Sequence, residues 1–170
     1  MRKIILVVLL TLIPATFFAG SHQKDTVKEV KITAINKDGL NKVIKNRKGK
    51  VLFLNLWATW CIPCREEIPD IVKLAEEYKD VEFVGLSVDF PEDVDSKVIP
   101  FLKSNNVLYT NYINGFENDE ELINFLDENW NGALPATLIY DSKGKKTSFL
   151  EGKKTYKEFK EEIERARKRK

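Results

Sequence analysis

The chain contains two cysteines, Cys61 and Cys64, which are separated by Ile62 and Pro63. Two thiols at this spacing can close a disulfide with each other. They can also exchange it with a disulfide of another protein, through a mixed disulfide that one thiolate forms and the other resolves. The types and the spacing of these residues therefore predict thiol-disulfide redox chemistry.

Two other chemistries of paired cysteines are weaker here. A structural disulfide between Cys61 and Cys64 would close a loop of two residues, and so short a loop restricts the unfolded chain little. A structural zinc site takes about four cysteine, histidine or carboxylate ligands. The only histidine, His22, lies far from the cysteines along the chain. We therefore predict no metal site.

The residues around the cysteines change from a strand pattern to a helix pattern. Val51 to Trp57 is a continuous apolar run, which is typical of a buried strand. After Cys64, apolar residues recur at helical spacing as far as Tyr78. Cys61 thus stands near a helix N-terminus, where backbone N–H groups stabilise a thiolate, and Cys64 lies one turn deeper. We expect Cys61 to attack and Cys64 to resolve.

Three further residues belong to this predicted site. Pro63 stiffens the link between the thiols and is well tolerated in the first turn of a helix. Trp60 is placed to cover one side of the cysteines. Asp89 follows the next strand, where it is either a cap of the strand end or an acid beside the cysteines.

The rest of the chain alternates strand and helix patterns with short joints, which predicts an α/β domain with parallel strand pairs. Strands are predicted at 27–35, 51–56, 81–88, 107–113, 136–140 and 146–150, the first of them at a sheet edge. Helices are predicted at 40–44, after Cys61 to Tyr78, and at 94–102, 118–130 and 155–166. Asp38-Gly39 is predicted as a turn, and Trp57 and Trp130 as core residues.

Length and composition narrow the class of protein. The 170 residues suffice for one domain with a hydrophobic core. A formal net charge of +2 is too small for the bulk charge to gather nucleic acid, so we predict no nucleic-acid partner. Because 43% of the residues are hydrophobic, the chain is not disordered as a whole.

The first 21 residues predict a secretory signal peptide. A basic start is followed by an apolar stretch from Ile4 to Ile13 and by small residues at Ala19 to Ser21. We expect cleavage after Ser21, with cleavage after Ala19 or an uncleaved anchor as alternatives. Residues 22–170 are then the folded domain, which works in the periplasm or on the outer face of the cytoplasmic membrane.

The segment around the cysteines resembles that of a known superfamily. Residues 57–65, with the sequence WATWCIPCR, together with Glu67-Ile68-Pro69, are similar to the active-site segment of the thioredoxin superfamily. Within it the match is closest to the exported TlpA/ResA-like thiol:disulfide oxidoreductases. The resemblance extends with decreasing strength from Val51 to Lys160.

This resemblance implies an α/β thioredoxin-like fold, with a central mixed sheet flanked by helices on both faces. Leu134-Pro135-Ala136-Thr137 looks like the cis-proline loop of the superfamily. Pro135 is then cis, Leu134 faces the cysteines, and both dock the substrate.

The resemblance also implies an activity and its partners. The chain is then a reductant of exported proteins with disulfides or thiols, apocytochrome c among them. Its electrons come from a membrane thiol carrier, and it has no cofactor other than the Cys61–Cys64 disulfide.

One departure from the superfamily concerns proton transfer. Asn55 occupies the position where cytoplasmic thioredoxins carry a buried aspartate, and an amide cannot take up a proton. The acceptor for the Cys64 proton must then be another group. We expect Asp89 to be this proton acceptor. Glu67 and Glu92 are weaker candidates, because both glutamates are expected to face solvent.

Two other functions are compatible with the same fold. A thiol peroxidase needs a threonine one turn before a single attacking cysteine, whereas this chain has Ala58 there and a second cysteine after the first. A copper-delivery module spaces its cysteines more widely and adds a histidine near the cis-proline, which the sequence lacks. Both alternatives are therefore less favoured than thiol-disulfide exchange.

Overall fold

A computed structural model describes residues 30–46 and 48–169 of the chain. The strands among them are β1 (Thr33–Ile35), β2 (Val51–Trp57), β3 (Val81–Ser87), β4 (Thr110–Asn114), β5 (Ala136–Tyr140) and β6 (Lys146–Glu151). The helices are α1 (Lys37–Lys45), α2 (Ile62–Glu77), α3 (Ile99–Ser104), α4 (Asp119–Leu126) and α5 (Tyr156–Arg167). A 3₁₀ turn at Pro91–Asp93 and a π-helical turn at Val94–Val98 precede α3.

The six strands form one mixed sheet in the order β1-β4-β3-β2-β5-β6. The first three neighbouring pairs are parallel, whereas β5 is antiparallel to both β2 and β6. The expected mixed sheet and the edge position of the first strand are both confirmed. Because β2 lies inside the sheet, its C-terminal end is held by β3 on one side and by β5 on the other.

The alternating side chains of β2 build two separate cores. Leu52, Leu54 and Leu56 pack in the cluster that contains Leu40 of α1 and residues of α4. Val51 and Phe53 pack with α2 and α5 on the other face. All seven residues of β2 are buried, and full burial of one leucine or phenylalanine contributes about 1.5–3 kcal/mol. Helices therefore cover both faces, as expected.

A close contact between β3 and β4 fixes the last residue of β2. The indole Nε1 of Trp57 donates a hydrogen bond to Oδ1 of Asn111 in β4, at 3.2 Å. Asn111 reaches across β3 at Gly85, where an added Cβ would lie 1.9 Å from that oxygen. The missing side chain of Gly85 thus leaves the space in which Asn111 holds Trp57. Trp57 is buried, as predicted.

Several predicted boundaries were wrong. The first strand begins at Thr33, and residues 27–29 lie outside the described part of the chain. Asp38-Gly39 is not a turn, because the Asn36 side chain accepts a hydrogen bond from the Gly39 N–H and starts α1 at Lys37. The fourth strand begins at Thr110 instead of residue 107.

The helix predicted at 118–130 ends at Leu126. Its end is fixed by Asp127, whose carboxylate accepts a hydrogen bond from the Asn129 N–H and pairs with Lys146. Trp130 is nevertheless in the core, 4% exposed, as predicted.

The predicted signal segment, residues 1–21, lies outside the described residues. Within residues 30–46 and 48–169, no helix is both long enough and apolar enough to span a bilayer.

Candidate active site

The two cysteines lie where the central strand passes into α2. Cys61 is the N-cap residue of α2, and the Cys64 N–H donates a hydrogen bond to the Cys61 sulfur at 3.3 Å. The sulfurs are joined in a disulfide of 2.02 Å, with the Cα atoms 5.3 Å apart. In the reduced protein the same N–H group and the helix N-terminus would stabilise a thiolate on Cys61.

A shallow groove of about 480 Å³ runs past Cys61, between the start of α2 with the residues just before it and the loop that precedes β5. Its lining consists of Trp60, Cys61, Ile62, Pro63, Gly132, Ala133 and Leu134. Cys61 is 5% exposed and reaches this groove, whereas Cys64 is completely buried and does not line it. Of the two sulfurs, that of Cys61 is therefore the one that an incoming disulfide can approach.

Apolar side chains border the groove and stay exposed. Trp60 is 63% exposed and Ile62 is 67% exposed, so both present large apolar surfaces beside Cys61. Neighbouring exposed apolar side chains beside a groove are typical of a protein-binding site. Trp60 thus lies beside the cysteines as expected, with most of its ring open to solvent.

The opposite wall of the groove contains the predicted proline loop. The Leu134–Pro135 peptide bond is cis, as expected. Leu134 packs against the cluster that contains both cysteines, and the Pro135 carbonyl accepts a hydrogen bond from the Gly152 N–H at 2.8 Å. Within the described part of the chain, the backbone of Leu134 makes no hydrogen bond, so its polar groups are available at the groove.

Asp89 ties the end of β3 to the loop before Cys61. Its carboxylate accepts hydrogen bonds from the Thr59 N–H at 2.9 Å, from the Thr59 hydroxyl at 2.5 Å and from the Ser87 hydroxyl at 2.7 Å. Within the described residues, Asp89 makes no hydrogen bond to a cysteine. Of the two interpretations of Asp89, the structure favours the cap of the strand end.

Glu67 was wrongly expected to face solvent. It is 1% exposed and lies three residues after Cys64 on the same face of α2. Its carboxylate accepts hydrogen bonds from Asn55 Nδ2 at 2.9 Å and from the Lys154 N–H at 3.1 Å. Continuing the helical period from Ile71 back to Cys64 would have placed Glu67 on the buried face.

Burial changes the proton affinity of Glu67. Loss of solvation raises its pKa from 4.5 to about 7. The hydrogen bonds from Lys154 and Asn55 and the charges of Lys154 and Lys153 oppose this rise, but they do not outweigh it. A carboxylate with a pKa near 7 both accepts and releases protons at neutral pH, which suits a general base.

Asn55 holds Glu67 in place from the central strand. Its Nδ2 donates to Glu67 and, at 3.0 Å, to the Thr137 hydroxyl of β5. Its Oδ1 is buried without a hydrogen-bond partner among the described residues. Rotation of the amide would bring Oδ1 to the position from which Nδ2 now contacts Glu67, so that it could accept a hydrogen bond from the protonated carboxyl.

The described residues contain no cluster of three or more histidine, cysteine or acidic side chains arranged to hold a metal ion.

Comparisons with known proteins agree with this geometry. The model of the AhpC/TSA family matches residues 20–147 of the chain. Thiol-disulfide oxidoreductase ResA of Bacillus thuringiensis subsp. konkukian (strain 97-27) is 29% identical over 171 residues, which cover 96% of this chain and 94% of the relative. Thioredoxin-like protein YneN of Bacillus subtilis (strain 168) is 30% identical over 129 residues, which cover 74% of this chain and 71% of the relative.

Solved structures give the same result for the fold. A thiol:disulfide interchange protein of the thioredoxin family from Chlorobium tepidum TLS superposes with a TM-score of 0.60 and 26% sequence identity. The superposition covers 71% of this chain and 82% of the other. The predicted thioredoxin-like fold is therefore confirmed.

Proposed function

The chain belongs to the AhpC/TSA family of thioredoxin-like proteins, and we propose that it works through Cys61 and Cys64 as the redox couple of a thiol-disulfide oxidoreductase. The observation that carries this proposal is the disulfide at the N-terminus of α2, with one sulfur at an apolar groove and the other buried. The couple itself carries the two electrons, so the proposed reaction needs no further cofactor.

The reaction consists of two exchanges. In the reduced protein the Cys61 thiolate attacks a disulfide of the substrate. A mixed disulfide forms, and one substrate sulfur leaves as a thiolate that takes up a proton. Cys64 then loses its proton and attacks the Cys61 sulfur, which closes the Cys61–Cys64 disulfide and releases the second substrate thiol. Two electrons pass to the substrate in total, and reduction of the couple follows the same steps in reverse.

The apolar groove supports the docking of an extended substrate segment. Trp60 and Ile62 offer apolar contacts on one side of Cys61, and the backbone of Leu134 offers hydrogen bonds on the other. An extended peptide bound along such an edge gains main-chain hydrogen bonds, which do not depend on its sequence. In the proposed mechanism, Pro63 limits the freedom of the first turn of α2, and Pro135 limits that of the loop before β5.

Glu67 replaces Asp89 as the proposed proton acceptor for Cys64. Glu67 lies one helical turn from Cys64, and burial raises its pKa to about 7. The carboxylate of Asp89, by contrast, accepts hydrogen bonds from Thr59 and Ser87. A general base with a pKa near the working pH takes the thiol proton without holding it permanently. Resolution by Cys64 is then fastest when Glu67 is charged.

The proposed substrates are exported proteins with disulfides or thiols. Residues 1–21 have the pattern of a signal peptide, which supports action in the periplasm or on the outer face of the cytoplasmic membrane, with the segment removed or retained as an anchor. By analogy with the TlpA/ResA-like proteins, we propose that the chain is a reductant. Apocytochrome c is then one substrate, and a membrane thiol carrier is the electron donor.

The rival activities lack a supporting observation. Position 58, one turn before Cys61, is a buried alanine, which has no hydroxyl to bind a peroxide. The nearest second thiol is Cys64, already paired with Cys61 in the same helical turn. Neither feature favours a thiol peroxidase, and the two-residue spacing does not favour copper delivery.

The reduction potential of the Cys61–Cys64 couple tests the proposal. The full chain would be equilibrated in thiol-disulfide buffers of graded potential, and its two redox forms would be separated after alkylation. We expect a potential near about −270 mV, as in thioredoxin, because the proposed direction is reduction. A potential near about −120 mV would identify an oxidant instead, and a pair that does not titrate would exclude a redox couple.

A further inference from the structure

Three short segments contain a large share of the positive charge of the chain. Residues 45–50, 143–146 and 165–170 have the sequences KNRKGK, KGKK and RARKRK, with twelve of the 28 lysines and arginines and no acidic residue. The whole chain has a formal net charge of +2, so without these twelve cations the remainder would carry −10. The charge of the molecule is therefore very unevenly distributed along the sequence.

The fold brings the three segments together at one end of the sheet. The first segment leads directly into β2, and the second lies in the β5–β6 hairpin, at the end where Tyr140 pairs with Leu52 of β2. The third begins in the last turn of α5, at Arg165, and is described as far as Arg169. One shallow cleft of about 600 Å³ is lined by Gly49, Lys50, Val51, Asp80, Ser142, Glu164, Arg167 and Lys168. Its lining includes residues of the first and third segments and Ser142, which directly precedes the second. We call this end of the molecule the basic pole.

Most of the cations that the structure describes in the basic pole are exposed and have no acidic partner. Within the described residues of the basic pole, six lysines have exposed side chains and no ion pair within 4 Å, namely Lys45, Lys48, Lys50, Lys143, Lys145 and Lys168. The acids Asp80 and Glu164 are both paired with Arg167. Glu162 is paired with Arg165, and Asp127 with Lys146. These four acids are thus already paired with other cations, and the six lysines remain uncompensated.

The basic pole lies at the opposite end of the sheet from the redox site. The seven residues of β2 run from the basic pole at Val51 to Trp57, a distance of about 20 Å at about 3.3 Å per residue. Cys61 follows beyond the end of β2. A surface bound at the basic pole would therefore leave the groove beside Cys61 uncovered.

We propose that the basic pole docks on the anionic phospholipid surface of a membrane. Clustered lysines and arginines are attracted to acidic headgroups over about a Debye length. The large apolar side chains that are exposed among the described residues, Trp60, Ile62, Phe90 and Leu108, all lie outside the three basic segments. Contact is therefore electrostatic, without the aromatic stacking typical of single-stranded nucleic-acid sites. The proposed export of the chain brings it to a membrane surface, with the redox groove facing away.

Vesicle sedimentation of the full chain tests this surface. The probes are phosphatidylcholine vesicles with and without added phosphatidylglycerol, at about 0.05 M and about 0.5 M salt, where the Debye length differs about threefold. The apolar N-terminal stretch is common to all samples, so the ratio of binding to the two vesicle types isolates the effect of lipid charge. We expect a high ratio at low salt and a ratio near one at high salt.

Two triple variants, each of which removes three positive charges, distinguish binding through the basic pole from attraction of the vesicles by lysines elsewhere on the surface. The test variant is Lys50→Gln, Lys143→Gln and Lys168→Gln, with one exposed residue from each segment. The control variant is Lys37→Gln, Lys97→Gln and Lys157→Gln, which are exposed lysines outside the three segments. We expect the test variant to lose about tenfold or more of its preference for anionic vesicles, and the control variant to lose much less.

Three outcomes would overturn the proposal: no preference of the parent protein for anionic vesicles, equal losses in the two variants, or binding of short duplex DNA as tight as that of anionic vesicles. Thermal unfolding temperatures of both variants equal to that of the parent protein would show that the fold is intact. Because the assay involves no redox step, its result is independent of the reduction potential.

Discussion

At the scale of single residues, Glu67 is the group whose environment departs most from that of a surface carboxylate. It is 1% exposed, and its pKa is raised from 4.5 to about 7, chiefly by loss of solvation. Such a group couples two properties that can be measured separately. It makes the stability of the fold depend on pH and, in the proposed mechanism, it is the proton acceptor for Cys64.

The effect of Glu67 on stability has a definite sign. Because its pKa is higher in the folded chain than in the unfolded chain, the folded chain binds more protons between pH 4.5 and about 7. The stabilisation is complete below about pH 4.5 and is lost as the pH rises through about 7. A pKa change of this size corresponds to about 3 kcal/mol. We expect the free energy of unfolding of the parent to fall by about this amount relative to Glu67→Gln.

Denaturant titrations of both proteins across this pH range measure the difference. Glu66→Gln is the matched control, because Glu66 is the preceding residue, is exposed and pairs with Lys153. The same Glu67→Gln variant should also slow resolution of the mixed disulfide above pH 7 while leaving the attack by Cys61 nearly unchanged. If the free energy of unfolding depends on pH in the same way in the parent and in Glu67→Gln, the burial of a titrating carboxyl is contradicted. If the rate of resolution depends on pH in the same way in both proteins, the part of Glu67 in proton transfer is contradicted.

At the scale of secondary structure elements, the site depends on how β3 is tied to the loop before α2. Asp89, at the end of β3, accepts two hydrogen bonds from Thr59 and one from Ser87, and this holds the loop that leads to Cys61. A buried donor that loses its acceptor costs about 1–3 kcal/mol. The contribution of Asp89 is thus positional and does not require a proton transfer.

We expect Asp89→Asn to lower the free energy of unfolding by about 1–3 kcal/mol, because the amide nitrogen cannot accept the Thr59 and Ser87 hydrogen bonds. The shape of the pH dependence of mixed-disulfide resolution should not change, because Glu67 still takes the proton. Asp93→Asn is a suitable control, since Asp93 forms a surface ion pair with Lys97, and such pairs are worth about 0–1 kcal/mol. A stable Asp89→Asn protein with a shifted pH profile would restore Asp89 as the acceptor.

Much of the architecture at this scale follows from local sequence patterns. The apolar run of β2 and the helical period after Cys64 locate the central strand, α2 and the cysteines, because hydrophobic periodicity reports burial directly. Boundaries that depend on side-chain caps were less predictable. Asn36 starts α1 and Asp127 ends α4 through hydrogen bonds with backbone N–H groups, and the pattern of apolar residues carries no trace of these contacts.

The tertiary part of the site was the least predictable from sequence. Glu67 is buried because α2 packs against the sheet at Asn55 and because the chain after β6 brings the Lys154 N–H to its carboxylate. The helical period of α2 places Glu67 on the buried face, but its two partners are 12 and 87 residues away along the chain, so no local pattern identifies them. Asp89 illustrates the same point, since its position at a strand end was evident whereas its partner Thr59 was not.

At the scale of the whole molecule, the fold separates two surfaces. The C-terminal end of β2 carries the cysteines, the apolar groove and the Leu134–Pro135 loop. The other end of the sheet carries the basic pole. The parallel strands β2, β3 and β4 all end on the redox side, which is where functional groups collect in α/β sheets. A protein that acts on exported substrates at a membrane would benefit from this separation.

The most direct test of the account is to trap substrates with single cysteine variants of the full chain. In Cys64→Ser the attacking sulfur remains and the resolving sulfur is gone, so mixed disulfides through Cys61 should accumulate and should disappear on reduction. In Cys61→Ser the remaining thiol is buried away from the groove, so no mixed disulfide should form. Non-reducing electrophoresis with mass spectrometry of the linked peptides gives the result. Equal trapping through Cys64 in Cys61→Ser would contradict the assignment of Cys61 as the attacking residue.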